Sequence, residues 1–296
     1  MPAQKNRPNK SLAQGRPPGV QKPKSISRKN TKALINSLHL LEKKKAQAKA
    51  KGDKAAEAAA DGEIAALGGI EKYQQASLQG QRNDRGGDSS RVLMEWLKPI
   101  LSTSGLPAAG SLRMLEVGAL STTNICSQSG FFDMERIDLN SQSQGILQQD
   151  FMQRQLPTND AERFDIISLS LVLNFVPDAQ VRGNMLLRTL EFLKEPVKDS
   201  ATALRDFFPS LFFVLPKPCV SNSRYMTEEH LESIMNSLGY TKAQSKMTQR
   251  VVYYLWTKSR PLTQTTFKKA ELLAGPSRNN FSIVLRGPSD EGHTDT

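Results

Sequence analysis

Cysteine and histidine are scarce in this chain. Two cysteines in 296 residues, Cys126 and Cys219, stand far apart and outside any CxxC spacing. That argues against a disulfide framework or a cysteine-built zinc site and suits a reducing compartment. The three histidines, His39, His230 and His293, show no partner spacing and are expected at the surface. There is no N-terminal apolar segment of the secretory kind. The longest apolar stretch, residues 166–176, is too short to cross a bilayer and is interrupted by Ser168, Ser170 and Asn174. A soluble intracellular protein is expected, with no membrane and no metal.

Acidic residues are almost missing from the first part of the chain. Residues 1–54 carry 15 Lys+Arg against 2 Asp+Glu, whereas the remainder carries 25 against 27. The net charge of +11 therefore belongs to an arm, not to the body. A basic arm on a near-neutral body points to a polyanion, with nucleic acid first. A solubilising or import tail is the alternative. Residues 1–30 lack large apolar side chains and cannot offset the entropy of ordering, so disorder is expected there. Residues 31–51 predict a short basic helix, with Leu34, Leu38 and Leu41 at helical spacing. The alanine-rich, glycine-ended "AAEAAADGEIAALGG" reads as a linker. The expected organisation is a basic, largely disordered arm and linker over 1–69, a folded domain over 70–288 and a disordered tail over 289–296.

Within the body, a helix is predicted from about Ser89 to Leu101, with Ser89 or Ser90 as cap and Trp96 on its core face. Strand candidates follow in turn: "SLRMLEVG", "MERIDLN", "GILQQDFM", "RFDIISLSLVLNFV", "PSLFFVLPKP", "QRVVYYLWTK" and "NNFSIVLR". Helices are predicted from about Asp178 to Leu193 and in "TEEHLESIMNSLGY", where Thr227 caps the start and Gly239 ends it. Continuous apolar strands alternating with helices indicate a parallel sheet covered on both faces. The last two strands lack a full helix between them and suggest an antiparallel edge hairpin. The fold class is thus α/β: a doubly wound, mostly parallel, seven-stranded, Rossmann-like sheet.

Such sheets bind ligands beyond the C-terminal strand ends. Glu116 and Gly118 follow the first strand, Asp138 the second, Asp150 the third, and Asn174-Phe175-Val176-Pro177 the fourth. Gly118 and Asp138 lie 20 residues apart. That is the spacing of a glycine turn and a ribose-binding acid. The GxGxxG fingerprint of a pyrophosphate site is missing, because Ala119, Leu120 and Ser121 follow Gly118. A nucleoside cofactor without phosphates needs no further glycines, and S-adenosyl-L-methionine is the expectation. Glu116 would repel pyrophosphate but suits a cationic amino group. Asp150 and Phe151 are placed to read and stack on adenine.

The stretches "GIEKYQQASLQGQRNDRGGDSS", "LEVGALSTTN", "ERIDLNSQ", "ILQQDF" and "FDIISLSLVLNFVPDAQVRGNMLLRTLEFL" resemble the fungal nucleolar methyltransferases that modify N1 of an adenine in large-subunit (25S) ribosomal RNA. The resemblance covers about residues 70–286. It implies a class I methyltransferase fold, cofactor contacts at Gly118 and Asp138, and a nuclear, nucleolar location. Animal relatives of this family are S-adenosylmethionine sensors, so a silent sensor remains open, as does an RNA-binding assembly factor without cofactor. The basic arm favours the RNA enzyme. The expected partner is large-subunit rRNA or a pre-ribosome, and the chain is expected to act as a monomer. Adenine N1 must be unpaired to react. Asn174 is the candidate to hold the base or bind cofactor, and Phe175 the candidate to stack. Lys217 and Arg224, in "LPKPCVSNSRY", are candidates for phosphate contact or ordinary surface charge.

Overall fold

The structure is a computed structural model that describes residues 28–69, 88–103, 112–141, 143–196, 203–263 and 265–287. Two helices, α1 (Arg28–Ala50) and α2 (Lys54–Ala66), form an N-terminal hairpin. Leu38, Leu41 and Ala48 of α1 and Ala60 of α2 are buried, and Lys45 Nζ meets Asp61 Oδ1 at 2.6 Å. The alanine-rich stretch read as a linker is therefore helical. Alanine has the highest helix propensity, and Asp53 caps the first turn by accepting from Ala56 N at 2.9 Å. The arm before residue 28 and the tail after 287 lie outside the described residues.

The body holds a seven-stranded sheet: β1 (Leu112–Val117), β2 (Phe132–Asp138), β3 (Leu147–Gln148), β4 (Ile166–Ser170), β5 (Ser210–Pro216), β6 (Tyr240–Met247) and β7 (Val251–Lys258). The spatial order is β3-β2-β1-β4-β5-β7-β6. The first five strands run parallel, and β7 is antiparallel to both β5 and β6. Alternate side chains enter two cores. Leu115, Val117, Ile167, Leu169, Phe213 and Leu215 pack with α5 (Ala179–Phe192) and α7 (Glu228–Ser237). Met114, Ile166, Phe212, Val214 and Leu255 pack with α3 (Ser90–Thr103) on the other face. Two short helices, α4 (Ile125–Gln128) and α6 (Pro218–Ser221), follow β1 and β5. The doubly wound expectation thus holds, and Trp96 is set edge-on to Phe212 at 6.2 Å.

Three elements differ from the sequence reading. The fourth strand stops at Ser170, because Leu171 turns to φ +58° while its N–H still reaches Val214 O at 3.0 Å. The stretch "YTKAQSKM" is an unforeseen edge strand, β6. One face of it is solvated, so it carries no apolar run. "NNFSIVLR", the expected seventh strand, is not in the sheet. Its Phe281, Ile283 and Leu285 are buried, but its backbone pairs with Phe267 and with the first turn of α5, Val284 N to Ala179 O at 2.9 Å. The closing hairpin exists, built from β6 and β7 instead.

Candidate cofactor and base site

A groove opens at the C-terminal ends of β1 and β4, lined by Asp88, Ser89, Glu116, Gly118, Ser121, Asn124 and Ser170. Gly118 makes the turn out of β1. Its φ is +74°, a region costly for any side chain. Its N–H donates to Ile137 O at 2.8 Å, as does that of Ala119 at 3.1 Å. A Cβ on Gly118 would stand 2.7 Å from Val172 Cγ2. The backbone therefore passes too close to the loop after β4 to carry a side chain.

Val117 and Ile137 are register partners, so the turn at Gly118 lies beside Asp138 at the end of β2. The 20-residue spacing thus becomes a short distance across two strands. Asp138 Oδ1 accepts from Asn140 N at 2.8 Å, which fixes the carboxylate in the turn. Glu116 is half-buried within the groove. Asn124 Nδ2 donates to its Oε1 at 3.0 Å and its Oε2 at 2.9 Å. Burial pushes the Glu116 carboxyl up to about 7, with the nearby Asp88 carboxylate adding to the rise; the Asn124 amide and Arg136 oppose it.

Asp88 also lines the groove and is not among the residues expected from the sequence. Its Oδ1 accepts from Ser90 N at 2.9 Å, and its Oδ2 from Ser90 Oγ at 2.7 Å and Ile125 N at 2.8 Å. One carboxylate thereby ties the N-terminal ends of α3 and α4 together over the groove. The available signal was an Asp directly before the Ser89-Ser90 helix start. Ser89 Oγ and Ser170 Oγ, 2.8 Å apart, join the same loop to the end of β4.

Asp150 lies after β3 and is half-buried, its Oδ1 accepting from Met152 N at 2.8 Å. Phe151 does not offer a face to a base. It is 2% exposed and packs on Phe192 at 5.4 Å, so it belongs to the core. Phe175 is half-buried in the loop after β4, its N–H donating to Val172 O at 2.9 Å. Among the described residues, Asn174 Oδ1 is buried without a hydrogen-bond partner. A buried acceptor left open is costly unless a ligand fills it. The loop is held from below by Arg182, which donates to Val176 O at 2.8 Å, Pro177 O at 3.3 Å and Ser282 O at 2.7 Å.

Other candidates resolve into structural roles. Arg224 donates to Asn280 Oδ1 at 2.7 Å and Gly275 O at 2.9 Å, anchoring the C-terminal segment. His230 is half-buried against Phe267 at 5.6 Å, and burial lowers its pKa, so it is not a plain surface residue. The side chain of His39 and the whole of His293 lie outside the described residues. Cys126 and Cys219 are free and buried, with burial pushing Cys219 up to about 12. Among the described residues there is no metal-binding cluster of His, Cys, Asp and Glu, and no helix is long and apolar enough to cross a membrane.

The groove fits S-adenosylmethionine rather than a dinucleotide. A backbone approach without Cβ admits a ligand at Gly118. Two carboxylates, Glu116 and Asp88, favour a cation there and repel phosphate. Strand order and groove together define a class I S-adenosylmethionine-dependent methyltransferase. Residues 58–283 match the family described as "25S rRNA (adenine(2142)-N(1))-methyltransferase, Bmt2", and the chain belongs to it. A Schizosaccharomyces pombe "25S rRNA adenine-N(1) methyltransferase" is 40% identical over 220 residues, covering 73% of this chain and 76% of its own. The Saccharomyces cerevisiae "25S rRNA (adenine(2142)-N(1))-methyltransferase" is 37% identical over 226 residues, 75% of this chain and 62% of its own.

Solved structures resemble the chain loosely. A Burkholderia thailandensis 1,6-didemethyltoxoflavin-N1-methyltransferase with S-adenosylhomocysteine is 12% identical, covers 63% of this chain and 87% of its own, and has a TM-score of 0.38. The [4+2]-cyclase SpnF is 11% identical, covers 62% and 85%, and has the same TM-score of 0.38. Likeness at this level carries no functional argument.

Proposed function

We propose that this chain methylates N1 of an adenine in large-subunit ribosomal RNA, using S-adenosylmethionine bound in the groove at Gly118. Family membership supports the reaction, and the observation that carries the geometry is the buried, unpartnered Asn174 Oδ1. Adenine presents a 6-amino group beside N1, and an amide oxygen is the acceptor for it. Neutral adenine N1 already has its lone pair, so no strong general base is needed. What the protein supplies is alignment and exclusion of water.

S-adenosylmethionine, when bound, supplies a methyl group on a cationic sulfonium. Gly118 leaves room for its nucleoside part, Asp138 accepts from ribose hydroxyls, and Glu116 faces the amino group. Asp150 reads the adenine edge of the cofactor. Asn174 holds the target base, and Phe175 packs on it. The target must be single-stranded or flipped out of a duplex to expose N1. The basic arm adds salt-dependent attraction to RNA. The arm over 1–69, domain over 70–288 and tail over 289–296 are the proposed organisation. A nucleolar site of action, in ribosome assembly, and a monomeric state follow from the same reading.

The test is incubation with labelled cofactor and undermethylated large-subunit rRNA, followed by mapping of the modified base. Label on adenine N1 is expected. Cofactor binding without transfer to any RNA would instead make the chain a sensor.

A further inference from the structure

We infer that the folded body carries its own RNA-docking face: a basic rim made by the start of α6 and the C-terminal segment, beside the loop that bears Asn174. The inference rests on the RNA reading above and goes beyond it, since that reading places RNA attraction in the arm alone.

The rim is positioned by the sheet. β4 and β5 are parallel, with Ser170 opposite Val214, so Lys217 leaves β5 at the same end of the sheet as Gly118 and Asn174. β7 is antiparallel and pairs Val251 with Pro216, which brings Arg250 to that end too. Lys217 N donates to Arg250 O at 2.8 Å. The C-terminal segment then lies across α6. Asn279 Nδ2 donates to Pro218 O at 2.7 Å and Asn222 O at 3.0 Å, which anchors the residue next to Arg278 on α6. Leu272 N reaches Arg224 O at 2.8 Å, and Lys269 Nζ sits 4.5 Å over the Tyr225 ring.

Charge on this rim is one-sided. Residues 216–226, 248–251 and 265–287 hold seven Lys+Arg and one acid, Glu271. Residues 55–296 as a whole hold 25 against 27. Several long cations elsewhere in the body are ion-paired: Lys194 with Asp165, Lys242 with Glu232, Lys246 with Glu95, Lys258 with Glu195 and Arg154 with Glu135. Among the described residues, none of Lys217, Lys268, Lys269 and Arg278 is ion-paired. Unpaired cations on the elements that follow the C-terminal end of β5 fit a phosphate backbone. A half-buried tyrosine under one of them adds a surface on which an unpaired base stacks.

The rim is also locked to the base-holding loop. Arg182 bridges Val176 O and Ser282 O, and Ser223 Oγ donates to Phe281 O at 2.6 Å. A Cβ on Gly183 would fall 1.9 Å from Val284 O, so helix and segment are in direct backbone contact. RNA held on the rim is thereby held in register with Asn174.

The test uses the full chain with Lys217→Ala, Lys269→Ala and Arg278→Ala, singly and together, and Lys98→Ala, exposed on α3, as the charge control. The probe is a fluorescein-labelled single-stranded RNA, titrated across a potassium chloride series. Each single change should flatten the slope of log affinity against log salt by about 0.7, and the triple change by about 2, with roughly tenfold or greater weakening near physiological salt. Lys98→Ala should match wild type, and calorimetric cofactor affinity should be unchanged. Lys217→Arg and Lys269→Arg should retain the wild-type slope. Slopes equal to wild type in the single and triple variants overturn the inference, and the singles decide it where the triple no longer binds cofactor. Because RNA binding is read without methyl transfer, a flattened slope with no methylation at adenine N1 overturns the proposed reaction and leaves the docking face standing.

Discussion

Asn124 offers a single amide to both carboxylate oxygens of Glu116, at 3.0 and 2.9 Å, and the same residue caps α4 by accepting from Ser127 N at 2.9 Å. An acid lining the candidate cofactor groove is thereby oriented by the residue that caps α4. Its burial has a thermodynamic consequence. Glu116 has its folded pKa raised to about 7 from 4.5. Between those values the folded state keeps a proton that the unfolded state has lost, so this group makes the protein less stable as pH rises through that window.

Glu116→Gln should therefore stabilise the free protein at about pH 8, by about 1–3 kcal/mol, in denaturant unfolding. The same change should weaken S-adenosylmethionine binding about tenfold or more. In wild type, affinity should decline as pH falls below about 7, because protonation of Glu116 removes the partner of a cationic amino group, and the variant should lose that dependence. A flat wild-type profile by calorimetry would place the amino group elsewhere.

Gly118→Ala combines a left-handed backbone with a clash against Val172 Cγ2. Destabilisation of about 1–3 kcal/mol and loss of cofactor binding are expected. Val172→Ala in the same chain removes the clash but not the strained φ. It should recover part of the stability while binding stays weak. Full recovery of both would show that the glycine serves only to fit Val172.

Much of this site is readable from sequence, because strand ends in a parallel sheet are marked by where apolar runs stop. The positions of Gly118 and Asp138 at neighbouring strand ends are read that way, since β1 and β2 are adjacent and in register. What fails does so for identifiable reasons. Phe151 follows an acid at a strand end, as a stacking residue would, yet the neighbouring Phe192 draws it into the core. Asp88 acts on α4 across 37 residues, a contact no local pattern contains. β6 hides because an edge strand solvated on one face shows no apolar run. "NNFSIVLR" misleads because alternating apolar residues can also pack a segment against a helix.

Asn174→Ala should reduce methyl transfer by about a hundredfold or more and leave cofactor affinity near wild type. The lost group is an acceptor with no partner among the described residues. Single-turnover transfer and calorimetry separate the two effects. Wild-type turnover in this variant would remove Asn174 from the site. A parallel loss of cofactor affinity would move it to the cofactor side of the groove.

Replacing the Lys and Arg residues of positions 1–27 by Gln should weaken RNA binding and flatten its salt slope without changing cofactor affinity. An unchanged slope would leave the arm a role in transport alone.

Arg182 is the most exacting case, because one guanidinium satisfies three carbonyls on two segments and also covers the Phe281 ring at 4.6 Å. Desolvation lowers its pKa, and the three carbonyls compensate the buried guanidinium. Arg182→Met keeps the volume but leaves Val176 O, Pro177 O and Ser282 O without their donor. A loss of about 2–4 kcal/mol in denaturant unfolding is expected. At temperatures where the variant remains folded, kcat should fall more than cofactor affinity, because the loop carrying Asn174 and Phe175 is no longer pinned while Gly118 and Glu116 keep their own supports. Gly183→Ala strikes the same contact from the other side, through Val284 O, and should shift kcat in the same direction. Equal losses of kcat and cofactor affinity in both variants would mean that Arg182 supports the whole domain rather than the base-holding loop.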